Sequence, residues 1–427
     1  MKFRLAWMVA FALTCVGCAP NASHQRPWPD VKVAGQASAP SIAVIEFDEQ
    51  GDFWDTAQLK RGLDLIKSTP RPLLITYVHG WRHDARSSDS DLQRFKEFID
   101  ELNHKKPAGY TACGLYLGWR GASVDETYRG VSWLPAVASF WNRKRATERV
   151  ADIGLCRVLA QTASTAWKRD GRVVAIGHSF GGRILERAVG MSAAAQAGND
   201  AMTPLADLTI LINPASESLT ARKLKLALQQ WKKPHPLIIA VGATDDFANG
   251  VAWKYSYRLT PKPLTRDYVT RGKADPQKHF LDVTVTNDGR QLTHALQPDK
   301  AKPTMKGDTV AFNLSGLDAR HQPIYIRVGA DSSPQPYLLH ELNPKDVEGV
   351  DYVIDSDAYW AFQVPPEVFS KHGGDGRERG IFNDSMTDLM CALFAKGDLR
   401  DRADGGPKVM PTTAPLKLEH AARSATR

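Results

Sequence analysis

Long apolar runs are almost absent from this chain of 427 residues. Only the first twenty residues hold one, which excludes a multi-span membrane protein. Cysteine is scarce, with 5 in all and no pair spaced as zinc ligands. Basic stretches with interleaved aromatics are missing. The net charge of +8, from 55 basic and 47 acidic residues, therefore reads as solubility rather than nucleic-acid contact. There is no Walker A segment, no H-E-x-x-H and no EF-hand loop. Gly374-Asp375-Gly376 with Gly380 misses the dinucleotide fingerprint by one residue. No internal repeat is visible. With 43% hydrophobic and 24% charged residues, the composition also excludes wholesale disorder, a collagen-like repeat and a coiled-coil rod. The length admits two or three domains, or one large α/β domain with insertions.

The N-terminus reads as an export signal. Lys2 and Arg4 precede an apolar run from Leu5 to Val16, too short to span a bilayer. Gly17-Cys18 resembles the end of a bacterial lipobox, in which Cys18 becomes the lipidated first residue. Cys15 stands where that pattern usually has Leu. Residues 1–18 are thus expected to be a signal peptide and 19–40 a flexible tether rich in Pro, Ala, Ser and Asn. The expected location is the cell envelope, with a lipid-anchored protein. Cys113, Cys156 and Cys391 remain in the mature part and allow at most one disulfide.

From residue 41 to about 245, strand-like and helix-like runs alternate. Ser41–Phe47, Leu73–Val78, Gly114–Trp119, Arg172–Ile176, Leu208–Ile212 and Leu237–Val241 are β-type. Leu59, Leu63 and Ile66 share one helix face. Leu92, Phe95, Phe98, Ile99 and Leu102 share another, and 146–168 and Arg183–Met191 also read as helical. The alternation specifies an α/β fold around a mostly parallel sheet. Residues 260–350 instead hold short alternating runs at Phe280–Val285, Thr309–Leu314 and Ile324–Val328, expected as a β-rich insertion or cap. The core, 41–259, resumes at 351–397 with a strand at Tyr359–Val364 and a helix at Met386–Ala395. Residues 398–427 are expected to be a disordered tail.

Gly177-His178-Ser179-Phe180-Gly181 fits G-x-S-x-G, with a strand entering and a helix leaving. The bare pattern is common by chance, and the strand–turn–helix context gives it meaning. A helix-capping serine in a Gly-rich turn is the alternative. With Tyr77-Val78-His79-Gly80-Trp81 and Asp246 after a late strand, the chain resembles the α/β-hydrolase superfamily on its lipase and esterase side. The resemblance covers roughly residues 41–250 and 355–396. Within it the chain looks most like a bacterial branch with a His-Gly-Trp loop, a Gly-Trp-Arg-Gly segment (Gly118–Gly121) and a Phe-Trp-x-Arg-Lys segment (Phe140–Lys144). The resemblance implies a serine hydrolase with no metal and no organic cofactor.

A serine hydroxyl needs an imidazole to take its proton, and the imidazole needs a carboxylate to orient it. In this fold the order is Ser, acid, His. The acid should follow the strand ending at Val241. The resemblance favours Asp246, with Asp245 as its rival. His372, between the last strand and the last helix, is the candidate base, and His340 stands second. His279, His294 and His321 fall in the insertion, and His420 falls in the tail. The oxyanion hole should use the backbone N–H groups of Phe180 and Trp81. His79 and His178 are expected to brace loops, Trp119 and Arg120 to be ordinary core and surface residues, and Arg143-Lys144-Arg145 to be a solvated helix start.

The expected activity is that of a serine esterase or lipase, a carboxylic-ester hydrolase working through an acyl-enzyme. Its partner would be a small-molecule or lipid ester. Acyl transfer on the same triad is a variant. A catalytically inactive scaffold that binds an envelope partner is the rival class.

Overall fold

A computed structural model describes residues 22–24, 41–105, 109–122, 133–196, 203–216, 218–230, 235–246, 292–299, 324–328, 333–342, 358–373 and 380–396. Cys18, His279, His321 and His420 lie outside them. So do the strand expectations at Phe280–Val285 and Thr309–Leu314, and the tail.

In chain order the elements are β1 (Ile42–Glu46), α1 (Thr56–Ser68), β2 (Pro72–Val78), α2 (Ser90–His104), β3 (Thr111–Gly118), α3 (Trp133–Val150), α4 (Cys156–Trp167), β4 (Arg172–His178), α5 (Phe180–Ala195), β5 (Leu208–Ile212), α6 (Ser218–Ala227), β6 (Ile238–Ala243), β7 (His294–Pro298), β8 (Ile324–Ile326), β9 (Gln335–Glu341), β10 (Tyr359–Val364) and α7 (Asp384–Lys396). Seven strands form one sheet in the order β1-β3-β2-β4-β5-β6-β10, and every pairing in it is parallel. β2 and β4 are buried along their whole length, which is why both read as unbroken runs rather than alternating patterns. Because the strands are parallel, all their C-terminal ends lie along one edge.

Two apolar layers cover the sheet. One joins α1, α4, α5 and α6 to residues such as Leu74, Val173 and Leu211. The other joins Phe95, Phe98, Ile99 and Leu102 of α2 to Met386, Leu389, Leu393 and Phe394 of α7. The β-rich insertion forms a separate antiparallel sheet, in the order β7-β9-β8. Its Ile324, Ile326, Tyr337 and Leu339 enter the α2–α7 layer. Arg327 bonds Asp388 of α7 at 2.7 and 2.9 Å, and Lys105 reaches the same fully buried carboxylate at 2.9 Å. The described part of the insertion is therefore built into the sheet's flank.

The helical expectation for 146–168 resolves into the end of α3, a π-helical turn at Ala151–Leu155, and α4. Gly154 lies in the wide turn and lets the Gly51 carbonyl and the Phe47 ring approach; a Cβ would sit 2.6 Å from the ring. The solvated reading of Arg143-Lys144 is incorrect. α3 starts at Trp133, and Arg143 and Lys144 are only 2% and 1% exposed. Arg143 is held by both oxygens of Glu49, at 2.6 and 2.9 Å, and Glu49 also accepts from Arg120 at 3.0 Å. Burial alone would raise the Glu49 pKa; the two guanidinium groups outweigh it and hold the carboxyl below its usual range. Cys113, Cys156 and Cys391 are free thiols, with Cys113 and Cys391 buried.

Candidate active site

β4 delivers Ser179 to the C-terminal edge of the sheet, and α5 carries the chain away at once. Ser179 has φ 54° and ψ −118°, a conformation rarely adopted by a residue with a side chain. Space for so sharp a turn comes from its glycines. A Cβ on Gly177 would lie 2.6 Å from the Gly181 carbonyl oxygen, and one on Gly181 would overlap the Val78 carbonyl. The Ser179 N–H donates to Ile212 at 3.0 Å, and its carbonyl accepts from Ala215 at 2.9 Å. The neighbouring strand end therefore locks the strained residue.

Ser179 Oγ stands 2.7 Å from His372 Nε2. His372 Nδ1 stands 2.9 and 3.1 Å from the two oxygens of Asp246. The serine hydroxyl thus donates to the imidazole, whose other N–H donates to the carboxylate. Asp246 is 2% exposed and His372 is 30% exposed, so the carboxylate is sealed while the imidazole reaches the surface. Asp245 does something else: its carboxylate accepts the backbone N–H of Lys371 at 2.7 Å. His340 is exposed on β9, paired opposite Ala295.

Three side chains from three strand ends hold the histidine loop. Asp245 follows β6. His178, the last residue of β4, donates from Nε2 to the His372 carbonyl at 2.6 Å. Asn213 follows β5; it donates to the Lys371 carbonyl at 2.9 Å and accepts the Ala243 N–H at 2.8 Å. The clamp matters because Lys371 has φ 57°, a backbone that relaxes if released. Burial, then the neighbouring His372, push the His178 pKa well below the usual histidine value. A neutral His178 is a fixed donor and not a second base. Asn213 escaped sequence reading because an Asn after a strand reads as an ordinary turn residue.

The loop after β2 passes directly beside the serine. A Cβ on Gly80 would lie 3.1 Å from Ser179 Cβ, and Trp81 comes next. Phe180, the first residue of α5, has its amide at the positive end of the helix. His79 anchors this loop. Its Nδ1–H donates to Gly80 O at 2.9 Å, and Nε2 accepts the Trp119 N–H at 3.1 Å. The Trp119 indole N–H returns a bond to His79 O at 3.0 Å. Burial lowers the His79 pKa, which keeps the neutral tautomer that this pattern needs. Arg82, with φ 72°, donates its N–H to Gly121 O at 3.1 Å and ties the loop to the Gly118–Gly121 segment. Trp119 is therefore a second support of the loop rather than incidental packing, while the Arg120 side chain pairs with Glu49.

The nucleophile elbow follows β4, the acid follows β6, and the histidine lies between the last strand and the last helix of a seven-stranded parallel sheet. The chain has the α/β-hydrolase fold. No family model matches it, and no curated protein matches it. Among solved structures it is similar to TT1662 from Thermus thermophilus, at 12% identity over 48% of this chain and 78% of that one, with a TM-score of 0.24. Esterase 2 of Thermogutta terrifontis with bound propionate matches at 15% identity over 44% and 69%, with a TM-score of 0.21. Phospholipase PlaB from Legionella pneumophila matches at 12% identity over 75% and 59%, with a TM-score of 0.29. The hydrolase fold is assigned on strand order and the placement of the three side chains, not on these likenesses. Among the described residues no cluster of side chains could hold a metal ion.

Proposed function

We propose that the protein is a serine hydrolase of carboxylic esters. The observation that carries this reading is the unbroken Ser179–His372–Asp246 relay, with Ser179 on a strained elbow beside the Gly80–Trp81 loop. His372 Nε2 takes the serine proton while Oγ attacks the ester carbonyl. The oxyanion is received by the Phe180 and Trp81 amides. Collapse expels the alcohol, which takes the proton back from Nε2. A water then loses its proton to His372 and attacks the acyl-enzyme; the acyl–Oγ bond breaks, the acid leaves, and Nε2 returns the proton to Ser179 Oγ. Asp246 holds the imidazole and stabilises its cation throughout.

The lipobox-like Gly17-Cys18 supports export to the cell envelope with a lipid anchor. Acyl transfer would use the same relay with an alcohol in place of water.

A fluorophosphonate probe tests the reading. Labelling is expected on Ser179 alone, located by mass spectrometry, and lost in Ser179→Ala. His372→Ala and Asp246→Asn should each cut kcat on a short-chain nitrophenyl ester by about 10³–10⁴-fold. An unlabelled yet folded protein would leave the binding scaffold as the better account.

A further inference from the structure

Ser23 and His24, shortly after Cys18 in the chain, are bonded to the end of β1. Ser23 Oγ bonds Glu46 Oε2, and the His24 N–H donates to Glu46 Oε1 at 2.7 Å. Glu46 is 3% exposed and is held in turn by Gln58, which donates to it at 2.8 Å and accepts its N–H at 2.7 Å. His24 also lies 3.8 Å from Asp84, on the loop that follows β2. A buried carboxylate thus takes two of its donors, from Ser23 and His24, within the stretch 19–40 whose composition predicts a loose tether.

Glu46 ends β1, on the C-terminal edge that carries Ser179. Pairing runs Glu46 to Gly118, Leu117 to Val78, and Val78 to Gly177, so Glu46 and His178 stand level, three strand spacings apart. At about 4.8 Å per spacing that is ~14 Å. Only Ala19, Pro20, Asn21 and Ala22 separate Cys18 from Ser23. Five residue steps span at most ~18 Å. The surface beside the clamp suits a bilayer. Trp54, whose N–H donates to Glu46 O at 3.1 Å, is 36% exposed. Ile153 is 58% exposed, in the π-turn that packs on Gly51. Arg149 donates to Glu49 O at 2.5 Å, and Arg157 lies 5.4 Å from the Phe53 ring centre. An aromatic on the loop after β1, an aliphatic in the π-turn and two guanidinium groups on the adjoining ends of α3 and α4 match the interface of an anionic membrane.

We propose that the Ser23–His24–Glu46 clamp turns a lipid on Cys18 into an orienting mount, which holds the active-site edge against the bilayer so that the enzyme draws its ester from membrane lipid. This rests on the ester-hydrolase reading above.

The test uses the full chain, exported and purified in detergent, with the Cys18 adduct read by mass. Two substrates are compared: p-nitrophenyl butyrate in solution, and vesicles of phosphatidylethanolamine and phosphatidylglycerol into which the protein is reconstituted. The lipidated protein should hydrolyse both. Cys18→Ala should keep butyrate turnover within about 2-fold and lose at least about 10-fold on vesicles. A flexible Gly/Ser linker of about 20 residues between Asn21 and Ala22 keeps the anchor and adds ~25 Å of reach. It should cost the vesicle rate at least about 5-fold and spare butyrate. Butyrate turnover with an unlipidated Cys18, with intact vesicles, or with a vesicle rate indifferent to the linker would overturn the mount and leave the hydrolase standing. Loss of both activities together with no fluorophosphonate label would instead overturn the hydrolase reading itself.

Discussion

At the scale of single residues, the base is only as good as the loop that presents it. His372 follows Lys371 in a left-handed conformation, and Asn213 is the side chain that ties that carbonyl to the end of β6. Asn213→Ala removes the donor and leaves the Ala243 N–H without its acceptor. We expect kcat on butyrate to fall about 10-fold, equivalent to about 1.4 kcal/mol, with KM little changed; steady-state kinetics decide it. The buried histidines set a pH dependence of stability. His178 and His79 have folded-state pKa values below the ordinary histidine value. As pH falls through the unfolded value of about 6.5, the unfolded chain takes up protons that the folded one refuses, so stability is full above that pH and drains away below it. Urea midpoints should therefore drop between about pH 7.5 and 5. His178→Gln, which retains a donor, should flatten the drop.

At the scale of elements, α3 is attached to the loop after β1 by one carboxylate. Arg143 is 2% exposed and takes both oxygens of Glu49. Glu49→Ala strands a buried guanidinium that, among the described residues, retains only the Arg120 carbonyl, at 3.0 Å. The expected cost is about 3 kcal/mol, at the low end for a broken buried pair because Glu49 itself is 17% exposed. Equilibrium urea unfolding measures it. Arg143-Lys144-Arg145 shows why such a pair hides from sequence reading: adjacent cations look solvated until a distant acid neutralises one of them.

At the scale of the whole molecule, the three-stranded sheet depends on Asp388. That carboxylate is fully buried and receives Arg327 from just beyond β8 and Lys105 from the end of α2. Asp388→Ala should remove the buried partner that both cations share and leave them the more exposed Glu101 and, for Arg327, Asp384. We expect limited proteolysis to cut residues 292–342 faster while Ser179 labelling persists, because Asp245, His178 and Asn213 hold the His372 loop from the ends of the parallel strands. Loss of labelling at the same rate as cleavage would mean that the small sheet also supports the site.

Several features were written in local sequence. The strands of the parallel sheet are continuous apolar runs because both their faces are covered, and the elbow is a five-residue pattern in which Gly177 answers a clash within the turn and Gly181 one with Val78 of the adjacent strand. Both leave a pattern in consecutive residues, so periodicity and spacing reveal them. The small sheet was only partly legible. β8 falls within an expected run, whereas β7 and β9 carry too little alternation to stand out. Tertiary structure alone decided which histidine meets Ser179, across 193 residues, and which of two adjacent aspartates faces the ring. It also decided that Asn213 and His178 clamp one loop, that Glu49 buries Arg143, and that Ser23 and His24 are pinned to Glu46. Each of these joins polar groups far apart in the chain, and only the folded sheet brings them close enough to repay the loss of water.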